Sequence, residues 1–466
     1  MTTRQPLLLT DEQLKSFIVN GFLILKTDFP KAFHERLVTQ LNEIYDKEGN
    51  PGNNILPRIR DLQRVFEHPV ITGALTSVLG PDYLLHTHRH GHYNSIPKPG
   101  AWHKDSYWGY DRLRNHHPWW AMIMYFPQDT PQELGPTGVL PGTQYEDGRN
   151  FASDEMAEEA TAKGEAGTFA LIHYDIWHRS TPNLLGQPRF MLKFEFMRTQ
   201  APTAPTWDNR QADFRQVQGP EPSAHEAIAE DVWNWMSGRI ASRANTKPGN
   251  AEAIEALSAR LTGSKEPDAL AAAYDLAASG PEGIRVLLDA LGGGYKKRAR
   301  IASYGLSTAG SEAVAGLTQA LASEDEIAVN NAAFALSELR GLAESAVPQV
   351  AALLDHPSVE IRRTAVEALG IMSANPSAVV PALIKALADE DTQVKFTAGL
   401  SLVRVGPAAA DAVPALERSL ADENRYVRGH ALEALRSIGT KEAHEVLMNE
   451  LFNTRWCSDT TPASTF

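Results

Sequence analysis

A chain of 466 residues is too long for one ordinary hydrophobic core, so two or three domains are expected; 43% hydrophobic and 22% charged residues mark it as globular. A formal net charge of -13 with no basic stretch argues against nucleic acid or an anionic membrane as partner. One cysteine, Cys457, excludes an intramolecular disulfide and a cysteine-built zinc or iron–sulfur site, and no segment approaches the roughly 18 uninterrupted apolar residues of a membrane helix.

The first element is a helix announced by Leu9-Thr-Asp-Glu-Gln13, where Thr10 is a good N-cap and Gln13 stands three residues on, as in a capping box. A short strand is expected at Gly21–Leu25 and a second helix at Lys31–Tyr45. From there the pattern turns to β, with strand-like runs at Tyr83–Tyr93, Trp119–Phe126, Thr168–Ile172 and Arg189–Met197. Turns rich in proline and glycine separate them, among them Pro97 to Gly100 and Gly135 to Gly138. Several short strands joined by such turns predict a jelly roll or cupin-type barrel.

Two residues apart on a strand means the same face, so His103 and Asp105 can aim an imidazole and a carboxylate at one point. A second strand bringing in His178 would complete two histidines and a carboxylate, the facial set of non-heme Fe(II) oxygenases. Alone, His-x-Asp is a weak signal in a chain with fifteen histidines. His86, His88, His90 and His92 also alternate along one strand. They form either a solvated or hydrogen-bonded sheet face, or an inward wall in which His88 and His90 meet a ligand.

After residue 200 the text changes. Gln200 to Pro222 is proline-rich and reads as a linker, followed by a helical stretch from Ser223 to Ser242. Farther on, Val347-Pro348, Val380-Pro381 and Val413-Pro414 recur every 33 residues, each opening an apolar-periodic helix. The second helix of each unit keeps the same step in Ile361/Ala365/Leu369, Val394/Ala398/Leu402 and Val427/Ala431/Leu435. Helix pairs at this period, with Val-Arg early in the second helix, resemble HEAT repeats over roughly residues 250 to 450, an α-solenoid. The expected domains are 1–200 (barrel with flanking helices), 201–250 (linker and connecting helix), 251–452 (HEAT-like α-solenoid) and 453–466 (flexible tail). The fold class is thus multidomain α+β, a double-stranded β-helix of jelly-roll or cupin type followed by an α-solenoid.

The order His103-Lys-Asp105, Gly135-Pro-Thr-Gly-Val-Leu-Pro-Gly142, His178, then Arg189 eleven residues on, together with Leu9 to Gln13 and Gly21-Phe22, resembles the phytanoyl-CoA dioxygenase family. These are Fe(II)/2-oxoglutarate oxygenases, and the resemblance covers about residues 8 to 200. It implies that His103, Asp105 and His178 hold iron, that Arg189 binds the distal carboxylate of 2-oxoglutarate and that Ser180 adds a hydroxyl contact. The family often has Pro-Gly-Ser-His where this chain has Pro141-Gly-Thr-Gln144, so Gln144 replaces a substrate-side or neighbouring histidine. Trp108, Tyr107, His88, His90 and Gln144 are the expected substrate contacts. Lys104, between two ligands, should point away from the metal, and Asn183 serves His178, the substrate or a turn after Pro182.

The implied reaction oxidises an unactivated C–H of a small organic metabolite with O2, releasing succinate and CO2. Asp105 disfavours halogenation, because halogenating relatives lack that carboxylate. One alternative is hydroxylation of a protein or carrier-bound substrate recruited by the solenoid, which also offers a surface for a protein partner or self-association. Another is a scaffold protein with a vestigial barrel. The His-Glu pairs His225-Glu226 and His444-Glu445 fall outside the repeat register, which argues against a di-iron HEAT enzyme. Met1 to Thr10 lacks a signal-peptide pattern, and a reducing cytoplasmic location, which suits ferrous iron, is expected.

Overall fold

The computed structural model describes residues 5–105, 113–148, 159–222, 224–263 and 265–454. The chain divides into two compact units that part between Arg239 and Ile240.

In the first unit, α1 (Asp11–Asn20) begins with the expected reciprocal cap: Gln13 N–H donates to Thr10 Oγ1 and Thr10 N–H donates to Gln13 Oε1. It ends at Gly21, whose φ of 78° only glycine adopts without cost, and β1 (Phe22–Lys26) follows at once. Helix α2 (Lys31–Glu48) buries Phe33, Leu37 and Leu41, spaced by four along one face, and α3 (Pro69–Leu79) starts with proline behind the His68 cap. The strands are β2 (Leu84–Asn94), β3 (Trp120–Tyr125), β4 (Thr137–Val139), β5 (Ala160–Thr161), β6 (Thr168–His173), β7 (His178–Ser180) and β8 (Arg189–Met197). They form two antiparallel sheets, a large one in the order β1-β6-β3-β8-β2 and a small one in the order β5-β4-β7. This is the expected jelly-roll plan. The core lies along β3, β6 and β8, every residue of which is buried.

The long strands match the sequence reading to within a residue or two. The short ones do not, because two or three residues carry too little β-propensity to register. His103 and Asp105 lie outside any regular strand. His103 instead makes an isolated antiparallel bridge with His178, donating its N–H to His178 O and accepting from His178 N, both at 3.0 Å.

The proline-rich stretch after residue 200 is packed, not free. Trp207 is buried and its indole N–H donates to Asp11 at 2.7 Å. Helix α4 (Glu226–Met236) buries Ile228, Val232, Trp233, Trp235 and Met236. The His117 ring stacks on Trp235 at 4.6 Å while its Nε2 meets Asp231 at 3.0 Å. Aromatic anchors explain why prolines here mark an extended strap instead of a flexible spacer.

The second unit is a run of helix pairs, such as Val347–Ala352 with Val359–Ile371, Pro376–Ala386 with Thr392–Val405, and Val413–Ser419 with Arg425–Ile438. The predicted triplets Ile361/Ala365/Leu369, Val394/Ala398/Leu402 and Val427/Ala431/Leu435 are all buried between neighbouring pairs. The 33-residue step also repeats the ionic links: Arg362 pairs with Asp389 at 3.0 Å and Lys395 pairs with Asp422. Ser401 Oγ to Val366 O and Ser437 Oγ to Val403 O, each 2.8 Å, stitch consecutive second helices together. The expected tail beyond Thr454 lies outside the described residues. Among the described residues no helix is long and apolar enough to cross a membrane.

Candidate metal centre

The bridge between His103 and His178 sets two imidazoles side by side, with ring centroids 4.3 Å apart. Each ring spends its Nδ1 on a carbonyl two residues back: His103 on Ala101 O at 2.9 Å and His178 on Ile176 O at 3.1 Å. Such a bond fixes the tautomer with the proton on Nδ1 and turns a bare Nε2 lone pair toward the third member. Asp105 supplies that member, with Oδ2 3.3 Å from His178 Nε2 and Oδ1 3.9 Å from His103 Nε2. One ligand atom from each of the three lies within 4.8 Å of the others, so the cluster can hold a metal ion.

Electrostatics agree with a ligand set ready to bind. His103 keeps 51% of its side chain exposed, and partial burial pushes the ring below its usual pKa. Burial by itself would raise the Asp105 carboxyl, but its charged surroundings, the Lys193 ammonium 2.9 Å away among them, outweigh it and hold the group well below the usual carboxylate range. Arg114 fixes the loop by donating to Asp105 O at 3.3 Å while pairing with buried Asp175 at 2.6 Å.

The inner face of β8 reaches the same cluster, with Lys193 Nζ 2.9 Å from Asp105 Oδ2. Arg189, Lys193 and Glu195 share one parity of the strand, so they point to the same side. Arg189 is 1% exposed, yet among the described residues its Nε and Nη1 have no hydrogen-bond partner. Burial pushes its pKa from 12.5 down to about 10. A buried guanidinium with idle N–H groups fits a carboxylate that arrives with a ligand. Across from it in register on β2 stands Asn94, with His92 and His90 following inward. Burial holds His86 at about 3, His88 at about 4 and His92 at about 3, so all three are neutral at pH 7. The four-histidine stripe is therefore an interior wall, not a solvated face. At its far end His86 Nδ1 and His88 Nε2 lie 3.3 and 3.8 Å from the Glu195 carboxylate.

The other expected residues divide. Ser180 shares the face of His178 on β7, next to Gly100, where a Cβ would come within 2.7 Å of the Ser180 hydroxyl. Gln144 is committed elsewhere: it is buried, and its amide N–H donates to Ile18 O at 2.9 Å, locking the end of α1. That backbone duty replaces the substrate-side role expected of it. Lys104 points away from the cluster, donating to Thr143 O at 2.9 Å. Asn183 serves the turn, donating to Asn94 O and Gln187 O and accepting from Gly186 N–H. Tyr107 and Trp108 lie outside the described residues. The sequence reading missed Lys193 and Glu195, although charges on a single parity of an otherwise apolar strand, Arg189-Phe-Met-Leu-Lys-Phe-Glu-Phe-Met197, signal an inward polar wall.

Residues 33–191 match the phytanoyl-CoA dioxygenase (PhyH) family. The first unit carries a PhyH domain. HEAT repeats match in three overlapping stretches, 314–402, 347–436 and 380–454. No curated protein matches the chain. Solved structures that resemble the PhyH-domain half include the non-heme monooxygenase ThoJ in a nickel complex, at 19% identity and a TM-score of 0.33, covering 44% of this chain and 87% of that one. HygX from Streptomyces hygroscopicus with nickel and 2-oxoglutarate bound is 15% identical with a TM-score of 0.34, covering 46% of this chain and 96% of HygX. SnoK, a non-heme alpha-ketoglutarate-dependent carbocyclase from nogalamycin biosynthesis, is 14% identical with a TM-score of 0.34, covering 45% and 98%. The PhyH match supports an oxygenase of the non-heme iron and 2-oxoglutarate type.

Proposed function

We propose that the chain is an Fe(II)- and 2-oxoglutarate-dependent dioxygenase that hydroxylates, or otherwise oxidises, an unactivated C–H of a small organic metabolite, giving succinate and CO2 as co-products. One observation carries the reading. Two imidazole Nε2 atoms and a carboxylate converge on one point, and a buried guanidinium with unused N–H groups shares the strand face of Lys193, which contacts that carboxylate.

In this reading His103, Asp105 and His178 hold the iron, and the backbone carbonyls of Ala101 and Ile176 keep both rings in the ligating tautomer. Arg189 takes the distal carboxylate of 2-oxoglutarate through two parallel N–H bonds, with the Ser180 hydroxyl as a further donor. Ferrous iron, when bound, supplies the activation of dioxygen and the oxidative decarboxylation of 2-oxoglutarate. The protein's part is orientation, set by buried apolar strands and neutral histidines beside the ligand set. His88 and His90 offer hydrogen bonds to a substrate without adding charge at the His88 position. A reducing, cytoplasmic setting suits a ferrous cofactor in a chain with one cysteine.

The test is oxygen uptake coupled to succinate release by Fe(II)-loaded protein over a metabolite panel. Substrate-stimulated succinate formation that is lost in Asp105→Ala supports the reading; a wild-type protein that binds neither metal nor 2-oxoglutarate overturns it and favours a scaffold. The HEAT match favours a second reading of the substrate, in which the solenoid recruits a protein or carrier-bound group. Deleting the repeats would then raise KM for the native substrate and leave uncoupled 2-oxoglutarate turnover unchanged.

A further inference from the structure

Lys193 is the feature of the cluster that a metal site does not call for. Its ammonium is almost fully buried, 2.9 Å from Asp105 Oδ2 and 3.6 Å from Glu195 Oε1. A cation that bonds a metal-ligand carboxylate competes with the metal, because any dication on Asp105 faces the ammonium across a single carboxylate. An ordinary structural lysine would not be set there.

Glu195 makes sense of the arrangement. It is 1% exposed, and among the described residues neither carboxylate oxygen has a hydrogen-bond partner, which on Asp105 is true of Oδ2. Its described close contacts are the Lys193 ammonium and the neutral His86 and His88 rings. His86 Nδ1 already accepts the His88 N–H at 3.2 Å, so it has no proton to offer Glu195. Burial pushes this carboxyl up to about 7, so at neutral pH it is fully ionised only where a cation reaches it. Lys193 can do so with a small rotation of its flexible stem, since the two carboxylates differ by only 0.7 Å in distance from its nitrogen (3.6 against 2.9 Å).

Resting on the reading that His103, Asp105 and His178 hold a dication, we propose that Lys193 and Glu195 are a positioning pair for that site. Lys193 neutralises Asp105 while no metal is there and passes to Glu195 when the metal binds. The pair keeps Asp105 oriented before loading, and Glu195 takes up the displaced ammonium afterwards. With the ion present, Lys193 is held off Asp105 by attraction to Glu195, so the carboxylate is free to ligate.

The test is calorimetric titration of Ni(II) alone into metal-free full-length protein, comparing Lys193→Met, Glu195→Gln and the double variant. Removing the competing cation makes Lys193→Met bind Ni(II) about tenfold tighter or more, and removing the acceptor makes Glu195→Gln about tenfold weaker or more. The double variant binds tighter than Glu195→Gln. A merely structural pair would weaken binding in both single variants, so the opposite signs identify the exchange. Lys193→Met binding equal or weaker, or Glu195→Gln binding equal or tighter, overturns the proposal. Should Lys193→Met fail to fold by near-UV circular dichroism, Lys193→Gln and the charge-balanced double variant give the same comparison. Asp105→Ala separates the two levels of the argument: retained Ni(II) affinity in that variant sinks the metal-site reading and this proposal with it. Lost affinity there, with no opposite signs in the Lys193 and Glu195 variants, sinks only the proposal.

Discussion

Replacing Arg189 with methionine has two consequences that point in opposite directions. Two charge-assisted N–H bonds to the cosubstrate carboxylate disappear, each worth about 1.5–3 kcal/mol, so 2-oxoglutarate affinity falls by about a hundredfold to ten-thousandfold. The unliganded protein responds differently. Burial lowers the guanidinium pKa from 12.5 to about 10, which corresponds to roughly 3 kcal/mol of destabilisation. The sign follows from linkage: the folded state disfavours the charged form, so the cost is fully present below about pH 10 and is relieved only as pH rises toward 12.5. At neutral pH, Arg189→Met therefore raises the melting temperature of the ligand-free protein, less whatever packing the shorter chain forfeits. Calorimetry of 2-oxoglutarate into Ni(II)-loaded protein reads the first effect, and a thermal melt without ligand reads the second. Unchanged 2-oxoglutarate affinity, or a clear fall in unliganded stability, would refute the assignment of Arg189 as a pre-placed ligand group.

Truncation after residue 239 should yield a soluble first unit, whereas truncation after 215 removes α4 and its buried Ile228, Val232, Trp233, Trp235 and Met236. At about 2 kcal/mol per side chain the loss is on the order of 10 kcal/mol, enough to unfold the unit, and soluble yield with circular dichroism checks it. In the repeats, burial works against charge on Asp391 and Asp422, but Arg363 with two helix N–H groups, and Lys395 with the Asn424 N–H, hold both carboxyls below 3.8. Their contribution is complete above 3.8 and lost as pH falls through the lowered folded values, so the solenoid's calorimetric transition should drop below about pH 4 and drop less in Asp391→Asn. Thr10→Ala removes the cap of α1 and should cost about 1 kcal/mol by urea unfolding of the first unit, with metal affinity unchanged.

What could be read from the residues follows from where the physics is local. The Thr10 cap, the alternation in β8 and the 33-residue step are each contained in a few neighbouring side chains, and all three stand in the structure. The pairing of His103 with His178 was inferable only as a requirement, since the bridge joins residues 75 apart outside a regular strand for His103. Strands β4 and β5 owe their existence to tertiary contact; Arg179 on β7 reaches across to clamp Glu159 with two bonds of 2.9 and 2.8 Å. In the strap after residue 200, proline content speaks of backbone extension, while its attachment depends on Trp207 and Trp235 finding partners far back in the chain. Gln144 was placed by motif position, and only the three-dimensional course of α1 reveals that its amide belongs to the Ile18 carbonyl.

Anomalous diffraction from crystals grown with Ni(II) in place of oxidation-prone ferrous iron tests the central claim most directly. A single strong peak at bonding distance, about 2.0–2.2 Å, from His103 Nε2, His178 Nε2 and an Asp105 oxygen is the predicted result. A fully loaded crystal with its peak elsewhere, or with none at the three side chains, would contradict it.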